Sequence, residues 1–237
     1  MNKIGWCDMT FNPVWGCLNH CEYCYARKMA KRFYSDLKDF KPTWLEQQFN
    51  KSFPKKPQRI FVGSMSEIYY WKKEWMEKVL DKVRQYPQHT FQFLTKFPDI
   101  YLRYDFPKNC WLGMTITKEE NINKNWIRLY RATYAFTNNR FLDKNTKFYY
   151  SIEPLLDSIN PESLKGINWV ILGSETGNKK GKVIPKLEWI TNIVDYCRNN
   201  NIPVYLKDSI IKLYPDLAFE YPNYHKFPGF YDKKEKG

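Results

Sequence analysis

The sequence predicts an α/β fold in which a parallel (βα) sheet of about six to seven strands rolls into a partial or full TIM-like barrel. Three observations carry this. Short, continuous apolar runs recur along the chain, ending near residues 64, 96, 117, 153, 175 and 207. Those ends lie 21 to 36 residues apart, the length of a strand plus a covering helix. The runs are apolar throughout and do not alternate, which is the pattern of strands buried on both faces. So many units in 237 residues favour a closing sheet over an open one.

Ile4 to Val14 contains an opening strand that ends at Asn12-Pro13, where proline removes a ladder donor. Tyr25 to Leu37 reads as a helix with Met29, Phe33 and Leu37 on its apolar face. Asp39 to Arg59 holds Pro42, Pro54 and Pro57 and reads as a connection within one domain. The run Arg59 to Ser64 is a strand, and Lys73 to Tyr86 is a helix with Trp75, Met76, Val79, Leu80 and Val83 in register. Thr90 to Lys96 is the next strand, followed by a short Asp99 to Arg103 segment. Cys110 to Thr117 is a strand with a helix from Glu119 to Thr133 after it. Lys147 to Glu153, Asn168 to Glu175 and Pro203 to Asp208 complete the strands, with a helix over Leu187 to Asn199. After Pro215 the chain is rich in aromatics (Phe219, Tyr221, Tyr224, Phe227, Phe230) and reads as a segment closing over the barrel, with a frayed tail from Lys233. The whole is expected to be a single domain, with its core at about 4–208 and an extension over 209–237.

Hydrophobic residues make up 43% and aromatics 18%, which excludes a disordered chain. The N-terminal ten residues lack the apolar run of a signal peptide, and no stretch approaches the ~20 apolar residues of a membrane span. A cytoplasmic protein is expected, in which cysteines serve metals or catalysis more often than disulfides. Cys110 and Cys197 lie in apolar surroundings and read as small hydrophobes. The net charge of +13 suits a polyanionic partner. It is concentrated between Tyr25 and Ile60, where ten basic residues face three acidic ones, with Phe33, Tyr34, Phe40, Trp44, Phe49 and Phe53 interleaved. That mixture suits phosphate contacts with base stacking, or else a lysine-rich surface over a core of aromatics.

The six cysteines include three at spacing Cys-x3-Cys-x2-Cys: Cys17, Cys21 and Cys24. Thiolates select zinc, Cu(I) or iron–sulfur clusters. Four cysteines saturate a [4Fe–4S] cluster, so three leave one iron open to a further ligand. Cys7 upstream offers the other outcome, a closed four-thiolate zinc site, although no second paired clip accompanies it. The motif resembles that of the radical S-adenosylmethionine (SAM) enzymes, with Tyr23 at the family's aromatic position.

Active sites of parallel βα folds form at the C-terminal strand ends. Here those ends carry Gly63, Ser64 and Glu67; Thr95 and Lys96; Thr115 and Thr117; Ser151 and Glu153; Ser174 and Glu175; and Lys207 and Asp208. The stretches Phe61-Val-Gly-Ser-Met65, Phe93-Leu-Thr-Lys96, Trp111-Leu-Gly113, Ser151-Ile-Glu-Pro-Leu155 and Trp169-Val-Ile-Leu-Gly-Ser-Glu-Thr-Gly177 add to the cysteine loop. Together they resemble a phage-associated radical-SAM-like family, broadly similar in its cluster motif to spore photoproduct lyase. The resemblance spans roughly residues 4 to 207.

The resemblance implies a radical SAM barrel and an enzyme. A reduced [4Fe–4S] cluster on Cys17, Cys21 and Cys24 would cleave SAM to a 5′-deoxyadenosyl radical, with a flavodoxin or ferredoxin-type protein as electron donor. It implies that Gly63 and Ser64 meet the SAM amino group, with Glu67 nearby where the usual Gly-Gly-Glu is absent. Tyr23 and Tyr25 would line the adenine side, and Thr115, Thr117, Ser151 and Glu153 the ribose and carboxylate. Lys96, Glu153, Glu175 and Lys207 are candidates to position substrate or move protons, with Lys207 expected to pair with Glu175. The basic segment would bring a nucleic acid or nucleotide to the site. The rival readings are a zinc-stabilised nucleic-acid-binding protein without catalysis, and an enzyme that keeps its cluster as a staple.

Overall fold

The structure, a computed structural model, describes residues 4–33, 39–122, 145–177, 180–221, 225 and 227–228. It divides into two compact units, one of Met1–Met114 and Lys124–Lys147, the other of Thr115–Asn123 and Phe148–Gly237.

In the first unit, β1 (Met9–Phe11) pairs in parallel with β4 (Arg59–Val62), placing Thr10 opposite Phe61. β4 pairs with β5 (Thr90–Thr95), and β5 with β6 (Cys110–Ile116), all in parallel. The four strands thus follow one another across the sheet in chain order, as successive crossovers in a (βα) fold do. Helix α3 (Lys73–Arg84) buries Met76, Val79, Leu80 and Val83. That i, i+3, i+4, i+7 stripe removes four apolar side chains from water at about 2 kcal/mol each. Glu74 in its first turn and Lys82 and Arg84 in its last oppose the helix dipole. Trp75, which shares the predicted period, stays partly exposed and stacks on Trp44 at 6.1 Å.

The stretch predicted as a connection has structure. β2 (Val14–Trp15) pairs antiparallel with β3 (Thr43–Trp44), and α2 (Glu46–Phe49) follows. Elements of two and four residues are too short to leave a periodic trace.

Helix α1 (Tyr25–Phe33) also departs from expectation. Its buried face is Ala26 and Ala30, packed with Trp15, Phe40 and Met65, while Met29 is 38% exposed. The helix meets this cluster through its two small side chains. Residues 34–37 of the predicted helix lie outside the described residues, as does most of the Glu119–Thr133 helix.

In the second unit β7 (Lys147–Ile152), β8 (Trp169–Leu172) and β9 (Val204–Leu206) pair in parallel and in order. Helix α4 (Leu187–Asn199) covers them with Ile190, Ile193, Val194 and Cys197. Short helices α5 (Asp208–Ile211) and α6 (Leu217–Glu220) follow. The closing segment packs only in part. Phe227 lies 5.3 Å from Tyr205 and 6.0 Å from Trp169, and His225 stacks on Tyr205 at 4.7 Å. Phe219 instead is 84% exposed. Tyr224, Phe230 and the tail from Lys233 lie outside the described residues.

The fold is therefore the parallel α/β type of the partial (βα) barrel. Cys110 and Cys197 are buried, and burial pushes the Cys197 thiol up to about 12, so neither offers a thiolate. Among the described residues no helix is long and apolar enough to cross a membrane.

Candidate cluster and cofactor site

The cysteine loop leaves β2 through Gly16, whose φ is +102°. A Cβ there would lie 2.1 Å from the Lys41 carbonyl oxygen, so the two strands of chain meet only because residue 16 has no side chain. Gly16 N–H donates to the Met65 carbonyl at 3.0 Å and Cys17 N–H to that of Phe40 at 2.8 Å. Phe40 itself takes φ +54°, rare for a bulky residue, and is fully buried. Arg27 on α1 reaches back across the loop. Its Nη2 donates to the carbonyls of Cys17 (2.7 Å) and Asn19 (2.9 Å), and its guanidinium sits 5.0 Å from the Phe40 ring centre. The Tyr70 hydroxyl donates to Asn19 Oδ1 at 2.9 Å.

The three thiols are partly buried on this anchored loop, with Cys17 and Cys24 packed against the Trp15 and Phe40 cluster. Two accept backbone hydrogen bonds, Cys17 Sγ from Asn19 N–H (3.3 Å) and Cys24 Sγ from Arg27 N–H (3.4 Å). Burial pushes the Cys17 thiol up to about 11, and the Glu67, Cys21 and Cys24 charges add to this. A positive centre would reverse that cost.

Among the described residues no three Cys, His, Asp or Glu side chains converge on a single metal ion. Cys7 is buried, and its thiol faces the Ile4 carbonyl at 3.7 Å. A lone zinc needs four donors at about 2.0–2.3 Å from one point. A [4Fe–4S] cluster instead takes each thiolate on its own iron and is tuned by hydrogen bonds to the sulfurs. The donor set of three soft thiolates with amide–sulfur contacts fits that group.

The ends of β4 and β5 stand beside the loop. Gly63 turns with φ +77°. The Ser64 carbonyl accepts from the Tyr25 hydroxyl at 2.8 Å. Asn12 Oδ1 accepts from Ser64 Oγ (3.1 Å) and Met65 N–H (3.3 Å). Glu67 is buried and acts as a clasp. It accepts from Thr95 Oγ1, from Lys96 N–H at 3.0 Å and from Tyr69 N–H at 3.3 Å. Burial raises its carboxyl above the ordinary range against the pull of these bonds. Lys96 Nζ donates to the Tyr23 hydroxyl at 3.0 Å and sits 5.3 Å from its ring centre. Tyr23, Tyr25, Gly63, Ser64, Glu67 and Lys96 are thus brought to the cysteine loop.

In the second unit the strand ends form their own polar group. Lys207 pairs with Glu153, not with Glu175 as the sequence suggested. Glu175 is buried and accepts from Val183 N–H at 3.3 Å. Gly173 explains the preference: a Cβ there would lie 3.0 Å from both Glu153 Cγ and Lys207 Cδ. The bare backbone between β7 and β9 lets their side chains meet across it. Gly173→Ala is expected to cost about 1–3 kcal/mol and to separate the pair, read as a lower midpoint in urea. An unchanged midpoint would remove this role for Gly173. Ser174 N–H donates to Ser209 Oγ at 3.1 Å. The Thr117 hydroxyl is committed to Asn121 Oδ1 at 2.9 Å, while Thr115 is partly exposed on β6 and Ser151 is buried on β7.

Among the described residues, the interleaved aromatics of the basic segment divide between core and surface, with Trp44 and Phe49 partly exposed. Phe40 and Phe53 are buried, and Phe49 packs on Trp44 at 4.8 Å. Lys82 also lies about this group, 4.9 Å from the Phe49 ring centre. Tyr34 and the Phe33 side chain lie outside the described residues. Sequence reasoning missed Asn12, Gly16, Arg27, Asn19 and Gly173. Each acts through polar contacts or through steric absence, and only Gly16 and Gly173 carry a signal, as glycines flanking strands.

A family model described as "Protein of unknown function (DUF5131)" matches residues 1–210. No curated protein matches the chain. Among solved structures, a tyrosine mutant of spore photoproduct lyase superposes with a TM-score of 0.52 at 11% identity, covering 83% of this chain and 75% of that one. A double mutant of that lyase with bound AdoMet and dinucleoside spore photoproduct gives 0.49 at 12% identity, covering 79% of this chain. The chain spans 60% of the length of that double mutant. The likeness is one of fold.

Proposed function

The chain belongs to the DUF5131 family, and we propose that it is a radical SAM enzyme acting on a nucleic acid or nucleotide. The observation that carries this reading is the cysteine loop: three partly buried thiols, two with amide–sulfur contacts, anchored beside the ends of β4 and β5. Cys17, Cys21 and Cys24 would hold a [4Fe–4S] cluster, and a bound cluster supplies the electron that reductively cleaves SAM.

The residues of the chain then prepare the site. Gly63 and Ser64 present backbone to the SAM amino group, and Tyr25 fixes the Ser64 carbonyl. Tyr23, held by Lys96, lines the adenine side. Glu67 keeps the two strand ends in register and need not touch the cofactor. The apolar cluster under the loop excludes water. The second unit has its own polar group, in which Glu153 and Lys207 can hold or release a proton at the carboxylate oxygen, with Thr115, Thr117, Ser151 and Glu175 in the same unit. The net charge of +13 favours an anionic substrate. The electron would come from a flavodoxin or ferredoxin-type donor.

The test is anaerobic purification with iron, sulfide and zinc analysis, then reduction with dithionite in the presence of SAM. About four irons per chain and release of 5′-deoxyadenosine are expected, both lost in Cys21→Ala. One tightly held zinc with no SAM cleavage would overturn the reading.

A further inference from the structure

A group of side chains outside this assignment lies at the same strand ends in the first unit. Tyr69 and Tyr70 occupy the 3₁₀ turn Ile68–Tyr70 after β4, and Phe97 precedes the turn Pro98–Leu102 after β5. Their rings cluster, with centroids 4.6 Å apart for Tyr69 and Phe97, 5.5 Å for Tyr69 and Tyr70, and 5.8 Å for Tyr70 and Phe97. All three are partly exposed, whereas Phe91 and Phe93 on β5 itself are fully buried. Cations border the rings. The Arg103 guanidinium carbon lies 4.9 Å from the Tyr69 centroid, and its side chain is 48% exposed. Nη2 of Arg103 donates to Asp99 Oδ2 at 2.5 Å and faces the Tyr69 hydroxyl at 3.4 Å. Lys96 adjoins Phe97 in the chain and reaches Tyr23. Tyr70 is bound to Asn19 of the cysteine loop, so the rings stand next to the proposed cluster.

Packing alone does not call for this composition. Rings that serve only the core are covered, and a solvated turn would favour small polar residues. Aromatic faces beside cations are the elements that bind unstacked nucleotides. The ring accepts any base by stacking, and the guanidinium meets the phosphate. Of two carboxylates at this group, Asp99 orients Arg103 and offsets part of its charge, while Glu67 is buried beneath and bound to the Tyr69 and Lys96 amides.

We propose that Tyr69, Tyr70, Phe97 and Arg103 form a subsite for one unstacked nucleotide, its base against the rings and its phosphate toward Arg103 and Lys96. This deepens the reading above by naming the substrate's chemistry, and it rests on that reading only for the reaction that follows. It places one nucleotide contact at the strand ends, outside the basic segment 25–60.

The test uses a fluorescein-labelled, mixed-sequence single strand of about 12 nucleotides, with binding followed by anisotropy at fixed salt. The full chain is measured with and without bound iron. Tyr69→Leu and Phe97→Leu, which keep apolar bulk, are each expected to weaken binding about 5- to 150-fold with melting temperatures preserved. Arg103→Gln should weaken it and flatten its salt dependence by about one ion. Lys55→Gln, in the basic segment, should change affinity little. Full competition by a nucleoside monophosphate supports the subsite with a free nucleotide as ligand, and its absence supports it with a strand as ligand. Equal binding by wild type and both ring variants would overturn the proposal, as would no binding, or displacement by SAM alone. Those results do not bear on iron content or SAM cleavage, so this inference and the radical SAM reading fail separately.

Discussion

Gly16→Ala is expected to abolish cluster assembly and to lower the melting temperature by about 8–16 °C. The new methyl would stand 2.1 Å from the Lys41 oxygen, 2.4 Å from its carbonyl carbon and 2.8 Å from the Phe40 oxygen. All three are backbone atoms, so no rotamer change relieves the clash. The facing segment cannot withdraw cheaply either, because Cys17 N–H is bonded to Phe40 and Gly16 N–H to Met65. A cost of about 4 kcal/mol or more follows, large for one methyl, and converts to that shift for a chain of this size. Gly181→Ala separates clash from backbone strain. Gly181 also has positive φ, +68°, but nothing lies within 4 Å of its Cβ position, so only about 1–2 kcal/mol is expected. Equal melting of the two variants would contradict this account. So would normal iron uptake by Gly16→Ala.

Replacing Glu67 with alanine should cost about 3 kcal/mol or more. It strands three donors at once: the buried Thr95 Oγ1 and the partly buried N–H groups of Lys96 and Tyr69. Glu67→Gln is the informative companion. Its carbonyl can take the place of Oε1, which serves Thr95 and Tyr69, but its amide would face the Lys96 donor in place of Oε2. An intermediate loss of about 1–2 kcal/mol in chemical denaturation is expected. If alanine and glutamine behave alike, charge and not hydrogen bonding holds the clasp. Since Lys96 in turn carries Tyr23, both variants should also lower SAM affinity more than they lower iron content.

The strands and the two main helices were legible because each rests on a run of apolar residues with one period. Leu187 to Asn199 is helical over the span its pattern marks, and Lys73 to Arg84 ends two residues before its predicted end. What escaped was local or steric. The β2–β3 ladder is two residues long, and α1 buries Ala26 and Ala30 where its pattern marked Met29. The basic segment was legible only as composition. Charge and aromatic content were both present, but composition does not say that Phe40 and Phe53 turn inward. The cysteine loop was legible as a candidate thiolate site, since its spacing brings three sulfurs onto one short loop. Its supports, Asn12, Arg27 and Asn19, were not, because hydrogen bonds between polar groups distant in the chain leave no period. The Glu153 and Lys207 pairing depended on a missing side chain at Gly173, visible only once β7, β8 and β9 lie in order.

The antiparallel bridge between Tyr205 and His225 bears on how the protein behaves when concentrated. β9 is last in the strand order, and such a strand carries amides and carbonyls that would pair with any extended chain offered to them. Here Val204, Tyr205 and Leu206 are all buried, so the exposed rim of the sheet would also be greasy. By laying His225 along Tyr205 the chain supplies its own partner and shields the strand from another molecule's. Replacing His225 by proline, which cannot donate to such a bridge, is expected to leave this edge open and to raise light scattering at high protein concentration.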